Sequence, residues 1–471
     1  MKTLLLNISF LLCSVVGMSQ NKLTLQDAIK MGIANNIDVN QSDLQMQKAQ
    51  INWKQSRASM LPNLNASAYQ GSNGGRTNDP ITNAFINQNI SYSTYGASSS
   101  LLLFNGGSLQ NGIRSNALGY QASQMELQQA KDNLTINIIL DYLSVLSAED
   151  VLENSKQLRE ITSKQVDREG ILNQAGAIAP SDYYNLKGQL ADDEIAAADN
   201  IAAVETAKLN LAQLLNIPYD KNMEVERLPE ETFNNNYTST PKGIYDTALQ
   251  KFAEVKAVHL RTESQQKLIR SIRGQLYPTL YLNGNLGTNY SSAATESLLT
   301  GSTEIPSTDY VVVNGSQVPV MTKQYNYTNE KVTYNNQLNN NFSTNLNLGL
   351  AIPLFNGSII RSKVKLAKID LKNRQLVEDN TKTILQQSIE RAYVNLTNTS
   401  NKYKILLDQV NSFAESFRAA EIKFNAGAIT SVDYLIAKNN LDRTNVNLII
   451  SKYDFVLRTK ILDYYQGKAL W

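Results

Sequence analysis

The chain carries an internal duplication, and this limits its possible folds more than any other feature. Leu103-Phe104-Asn105-Gly106 returns as Leu354-Phe355-Asn356-Gly357, an offset of 354 − 103 = 251 residues. Ala175-Gly176-Ala177-Ile178 returns as Ala426-Gly427-Ala428-Ile429 in the same register, as do Tyr142 at Tyr393 and Asp182-Tyr183 at Asp433-Tyr434. Upstream the offset is shorter: Met60-Leu61-Pro62-Asn63-Leu64 matches Leu276-Tyr277-Pro278-Thr279-Leu280 at 278 − 62 = 216. The second copy therefore holds an insertion of 251 − 216 = 35 residues, which falls in the polar stretch Ser291 to Asn336. Two copies of one supersecondary unit have to bury their apolar faces in equivalent ways. Each copy reads as helix, strand, loop, strand, very long helix, tight turn, helix.

The strand segments alternate with a period of two. In Phe342 to Leu354 the apolar set is Phe342, Leu346, Leu348, Leu350, Ile352 and Leu354, while Ser343, Asn345, Asn347 and Gly349 point the other way. Leu280, Leu282 and Leu286 alternate with Tyr281, Asn283 and Asn285, and weaker alternation runs through Leu64, Ala66 and Ala68 and through Tyr95, Ala97, Leu101 and Leu103. One apolar and one polar face over about ten residues suits a barrel strand between lipid and a wet interior. A soluble sandwich alternates in the same way. Four strands cannot close a barrel, and an open edge in lipid would leave backbone groups unpaired, so strands that span a membrane need several chains.

Between Ser108 and Asn173 there is no proline, and glycine appears only near the ends; Ser358 to Asn425 repeats this pattern. Helices of that length reach roughly 90 to 100 Å at 1.5 Å per residue, and imply coiled-coil-like packing. Ile384, Ile389, Tyr393, Leu396 and Tyr403 form a sparse apolar stripe among polar residues.

The N-terminus has Lys2, an apolar run from Leu4 to Val16 and small residues at Gly17 and Ser19, the pattern of a secretory signal peptide cut after Ser19. The single cysteine, Cys13, lies inside it, so the mature chain is expected to have no thiol chemistry. No later apolar run reaches the length of a membrane-spanning helix. With a net charge of +2 and its basic and acidic residues interspersed, the chain offers no stripe for nucleic acid. An enzyme is a poor fit. His259 is the only histidine, which leaves histidine triads and zinc sites without partners, and Ser264-x-x-Lys267 lacks the motifs that accompany it in lactamases.

The ordered, duplicated set of Leu61-Pro62 and Tyr277-Pro278, the two Leu-Phe-Asn-Gly runs, Gly176 to Asp182 and Gly427 to Asp433 resembles the TolC-like outer-membrane efflux protein family. The resemblance implies a mainly α fold with a small β part. Long duplicated helices would form an α-barrel, and four strands per chain would contribute to a β-barrel closed only in a homotrimer. It divides the chain into a signal peptide at 1–19, a first repeat at 20–216, a linker at 217–240, a second repeat at 241–467 and a tail at 468–471. It further implies an outer-membrane, lipid-embedded channel with a periplasmic tunnel, without cofactor or bond chemistry. The channel would be fed by an inner-membrane pump through a periplasmic adaptor, or membrane fusion protein. Asp433, Phe424 and Asp182 would match gate and selectivity positions. The turns at Gly176, Ala177, Gly427 and Ala428 would meet the adaptor. Ile436 stands where some members have a second entrance aspartate, and Pro180 where a larger apolar residue is common. A structural or adhesive coiled-coil protein of the envelope is the rival reading; it accounts for the helices but not for the amphipathic strands. Thr430-x-x-Asp433 also fits a capping box, a purely structural role.

Overall fold

The computed structural model describes residues 22–78, 83–87, 89–229, 237 and 239–468. The expected signal peptide with Cys13, residues 230–236 and 238 of the linker, and the tail after 468 lie outside them. The elements are α1 (Leu25–Asn35), α2 (Ile37–Ala58), β1 (Asn65–Asn73), β2 (Arg76–Asn78), β3 (Phe85–Asn87), β4 (Ile90–Asn105), α3 (Ser108–Gln174), α4 (Pro180–Leu214), α5 (Pro241–Lys251), α6 (Ala253–Gly274), β5 (Thr279–Ser291), β6 (Thr295–Val313), β7 (Ser316–Lys331), α7 (Tyr334–Asn340), β8 (Ser343–Ala351), α8 (Ile359–Asn425) and α9 (Ser431–Tyr465). The duplication is kept to the residue. α3 and α8 both have 67 residues, and α4 and α9 both have 35. No helix among the described residues is long and apolar enough to cross a membrane.

The first helix of each repeat proves to be two. Asn36 has extended backbone, and its Oδ1 accepts from the backbone N–H groups of Asp38 and Val39 at 2.9 and 3.1 Å, starting α2 afresh. Phe252 makes the equivalent break between α5 and α6.

The chain forms two compact units, and each draws on both repeats: Ile51–Asn116 with Gln265–Asp370, and the remainder. The first holds a four-stranded antiparallel sheet in the order β1-β4-β5-β8. Its register sorts the faces. One row runs Asn65, Ser98, Asn285, Asn345, and beside it Ser100, Asn283 and Asn347 align; Asn283 donates to Asn347 at 3.3 Å. The opposite face carries Leu101, Leu282 and Leu348 in one row and Phe104, Leu280 and Leu350 in another. Leu346 and Leu348 on edge strand β8 are 76% and 63% exposed. One expectation needs correcting. Leu103 is not part of the alternation, because a β-bulge between Leu102 and Phe104 lets Phe104 take the place opposite Leu280.

Where the strands meet the helices the chain is tight. Gly106 has φ +64, and a Cβ there would lie 2.4 Å from the Gly274 carbonyl oxygen, so the first Leu-Phe-Asn-Gly needs its glycine for conformation and close approach together.

The 35-residue insertion is not an irregular loop. It is the long hairpin β6–β7, turned at Asn314-Gly315 with both residues at positive φ, as a two-residue type I′ turn demands. It joins β5 to β8 at the same end of the sheet as the β1–β4 connection, and the helices leave from the other end.

The second unit is helical. Its largest core gathers Ile138, Ile139, Tyr142 and Leu146 of α3 with Leu211 and Leu215 around the α4 end. Tyr142 is fully buried, and its hydroxyl lies 2.9 Å from the Leu23 carbonyl and 2.7 Å from that of Glu226, where the segment before α1 bridges Val225. The equivalent core of the second repeat holds Ile389 and Leu396, with Tyr393 packed against it. Ile384 departs from the expected stripe: it is 52% exposed and faces away from this core.

Candidate gate at the helical tips

The turn between α3 and α4 and the turn between α8 and α9 are built alike at their first half. The Ala177 N–H bonds the Leu172 carbonyl and the Gly176 N–H bonds the Asn173 carbonyl; Ala428 to Lys423 and Gly427 to Phe424 repeat the pair. This is a Schellman motif, and it requires the left-handed backbone that Gly176 and Gly427 adopt at φ +66 and +70. Gly176, Ala177, Gly427 and Ala428 are all exposed, so each tip presents small residues.

The second halves differ, and the difference joins the tips. Thr430 and Asp433 form a reciprocal capping box at the start of α9, with Thr430 Oγ1 donating to the carboxylate at 2.8 Å. At the equivalent place α4 begins with Ala179, which has no side-chain oxygen to offer. Asp182 is therefore not held in a local box. Its Oδ1 accepts from the backbone N–H of Ser431 at 3.2 Å, capping the other hairpin's helix. Asn185 donates to Ser431 Oγ at 3.1 Å. From α3, Arg168 donates to the Asn425 backbone carbonyl at 3.0 Å and to its side-chain oxygen, a cation placed on the C-terminal end of α8. First-repeat residues thus hold the second turn at both of its ends.

Beneath the turns lies a small apolar core of Val166, Leu186, Phe424 and Tyr434. Phe424 is 8% exposed, and its ring stacks on Tyr434 with centroids 4.9 Å apart. The ring is therefore packed inside the tip and is not presented on its surface. Asp433, by contrast, is exposed and shares its side of α9 with exposed Val432 and Ile436. Burial pushes the Glu169 carboxyl above the ordinary carboxylate range, with the neighbouring Asp182 charge adding to the shift and Arg168 opposing it.

Arg168, Asn185, Ser431 and Tyr434 were not foreseen as parts of this site. A signal for the cross-cap was present: Ala179 in one turn against Thr430 in the other leaves Asp182 without its local partner.

A duplicated chain of long paired helices with a short sheet that has one apolar face and two free edges is the layout of an outer-membrane protein whose strands pair between chains. The sequence profile described as outer membrane efflux protein matches residues 28–216 and 244–459, and the chain belongs to that family. Its place is accordingly the outer membrane. Outer membrane protein TolC of Escherichia coli (strain K12) is 21% identical over 348 residues, which cover 73% of this chain and 63% of that relative. The alignment thus spans less than two thirds of the relative's length. Among solved structures the fold is shared with CusC (TM-score 0.74, 15% identity, 94% of this chain and 92% of that one). It is shared equally with the outer membrane protein VceC of Vibrio cholerae (TM-score 0.73, 13% identity, 95% and 97%).

Proposed function

We propose that three copies of this chain assemble into a passive export duct from the periplasm to the exterior, served by an inner-membrane pump through a periplasmic adaptor. The observation that carries the reading is the pair of free sheet edges. β1 and β8 run in opposite directions at the two ends of the sheet. Copies joined edge to edge therefore continue antiparallel pairing, and twelve strands close without an edge in lipid.

The helices repeat this logic. α2 neighbours α3 through Gln50 and Tyr120, α3 neighbours α6 through Glu126 and Arg261, and α6 neighbours α8 through His259 and Glu378. The outer members of that row carry exposed apolar stripes at heptad-like spacing: Ile37, Leu44 and Ile51 on α2, and Leu366, Ile369, Leu376 and Ile384 on α8. Such stripes suit a coiled-coil seam between copies. Ile384, turned away from the core of its own chain, has a place in that seam. Cysteines introduced on β1 and β8, at Ser67 and Asn345 and positions nearby, should cross-link copies into a ladder ending at three. Cross-links confined within single chains would contradict the assembly.

The polar Asn and Ser face of the sheet then lines the bore, and its apolar face meets lipid. The end bearing β6–β7 faces outward, where barrel loops are long. An epitope inserted at Asn314-Gly315 should bind antibody on intact cells; binding only after the outer membrane is opened would reverse the orientation.

At the periplasmic end Asp433 is the selectivity residue, Asp182 secures the closed turn, and the exposed Gly176, Ala177, Gly427 and Ala428 offer small surfaces to adaptor hairpins. Three Asp433 carboxylates around one entrance favour cations. Asp433→Asn keeps an acceptor for the cap and removes the charge. Cation selectivity and block by divalent cations should fall, while thermal stability moves by less than about 1 kcal/mol. Unchanged single-channel selectivity would return Asp433 to a capping role alone.

A further inference from the structure

A lysine is buried where α4 meets α9. Lys438 is 1% exposed. Its Nζ donates to Asp193 Oδ2 and Oδ1 at 3.0 and 3.3 Å and to Asp442 Oδ2 at 2.8 Å. Asp193, on α4, also accepts from Thr162 Oγ1 of α3 at 2.5 Å and from Gln189 Nε2 at 2.8 Å. Two buried polar atoms within one turn of Lys438 on the same helix have no hydrogen-bond partner: Asp442 Oδ1 and the hydroxyl of Tyr434. Residues 434, 438 and 442 are four apart, so they share one side of α9.

Packing does not account for this arrangement. A buried ion pair stabilises no better than apolar residues of the same volume, and often less well, whereas removing one partner is strongly destabilising because a charge is left behind. Such a network is all-or-none. It contributes little while intact and opposes the packed state once broken, which is how a switch behaves. It also holds two carboxylates against one ammonium.

We propose that Lys438 is the latch of the periplasmic gate: its bond to Asp193 holds the α8–α9 hairpin against the α3–α4 hairpin, Asp442 on its own helix supplies a second, competing carboxylate, and breaking the Lys438–Asp193 link releases the tip. The proposal rests on the duct reading and adds the device that keeps the duct shut. Its position suits the role, since Lys438 is five residues beyond Asp433 on the same helix, about 7.5 Å along the axis.

The charge count gives the latch a pH response. The charged and titratable groups around it are Asp193 from α4 and Tyr434 and Asp442 from α9, with Glu421 of α8 acting on Tyr434; from α3 the uncharged Thr162 bonds Asp193. Burial raises the Asp442 carboxyl above the ordinary carboxylate range, against the pull of Lys438. On acidification Asp442 therefore takes up its proton before ordinary carboxylates do. Protonation removes the surplus negative charge and favours the closed tip.

The test uses the full-length protein in planar bilayers, with a second readout that does not depend on conduction: the distance between spin labels at Ala177→Cys and Ala428→Cys. Lys438→Met leaves two carboxylates facing each other without a cation. Resting conductance should rise about tenfold or more, the label distances should lengthen, and lowering the pH from about 7 to about 5 should reverse both. Combining Lys438→Met with Asp193→Asn and Asp442→Asn removes every charge of the network and should restore the wild-type resting state at both pH values. If Lys438→Met is not recovered from the membrane, Asp193→Asn breaks the α4–α9 link by charge alone and should likewise raise the resting conductance and lengthen the distances at pH about 7, but without reversal at low pH, because Lys438 and Asp442 already balance. Unchanged label distances in these variants would overturn the latch whatever the conductance does. So would a neutral triple variant that leaks as much as Lys438→Met. Lengthened distances without any conductance would leave the latch standing and contradict the duct.

Discussion

Leu348→Arg is expected to abolish the assembled form of this protein in the outer membrane, whereas Asn347→Arg, one residue away, leaves it largely intact. Leu348 lies on edge strand β8 in the row with Leu282 and Leu101, on the apolar face of the sheet. An arginine on the lipid face of a barrel costs about 2–4 kcal/mol near the bilayer midplane. In a trimer that cost is met three times, once in each copy. Asn347 belongs to the opposite face, beside Asn283 and Ser100, where a charge meets water in the bore and changes conduction more than folding. The amount of heat-modifiable trimer in outer-membrane fractions measures both. Equal trimer from Leu348→Arg and wild type would mean that this face does not touch lipid.

The second large effect belongs to the helical unit. Tyr142→Ala should lower its stability by about 3–5 kcal/mol, the cost of emptying a buried aromatic site. The loss of the hydroxyl adds to this, because the Leu23 and Glu226 carbonyls that it approaches are left without it. Tyr142→Phe isolates that part and should cost about 1 kcal/mol. The duplication supplies an internal comparison. Tyr393 occupies the equivalent place in the second repeat and is only half-buried, so Tyr393→Ala should cost clearly less than Tyr142→Ala. Thermal unfolding followed by helical circular dichroism ranks the three variants. Equal losses at the two sites would show that burial does not set the cost here.

Much of this architecture is legible in the sequence. The register of the duplication foretold where the paired helices begin and end, because glycine, proline and capping residues punctuate them: Gly176 and Gly427 stop two of them, and Thr430 starts another. The four strands were legible because one face is apolar and the other polar. The β6–β7 hairpin was not, since nearly all of its residues are exposed on both faces and only short alternations such as Val318 with Val320 and Tyr325 with Tyr327 mark it; Asn314-Gly315 signalled its turn. The bulge at Leu103 is set by pairing with β5, which alternation alone does not reveal.

At the tips, the Asp433 cap could be read from spacing alone, whereas the environments of Asp182, Phe424 and Lys438 could not. Asp182 meets Ser431 across 249 residues of chain, and Lys438 meets Asp193 across 245. Viewed along α9 alone, Lys438 and Asp442 resemble an ordinary solvent-facing pair four residues apart; the packing of α4 is what buries them.

The central claim is that one chain supplies a third of a closed conducting barrel. It is tested most directly by measuring mass and conductance on the same purified, detergent-solubilised sample. The full chain is 52.3 kDa, of which the assembled protein should lack the signal segment 1–19. The expected protein mass is close to three such mature chains, with discrete ohmic channels on reconstitution and none from dissociated chains. A conducting monomer, or a stable trimer that forms no channel even when its tip is unlatched, would contradict it.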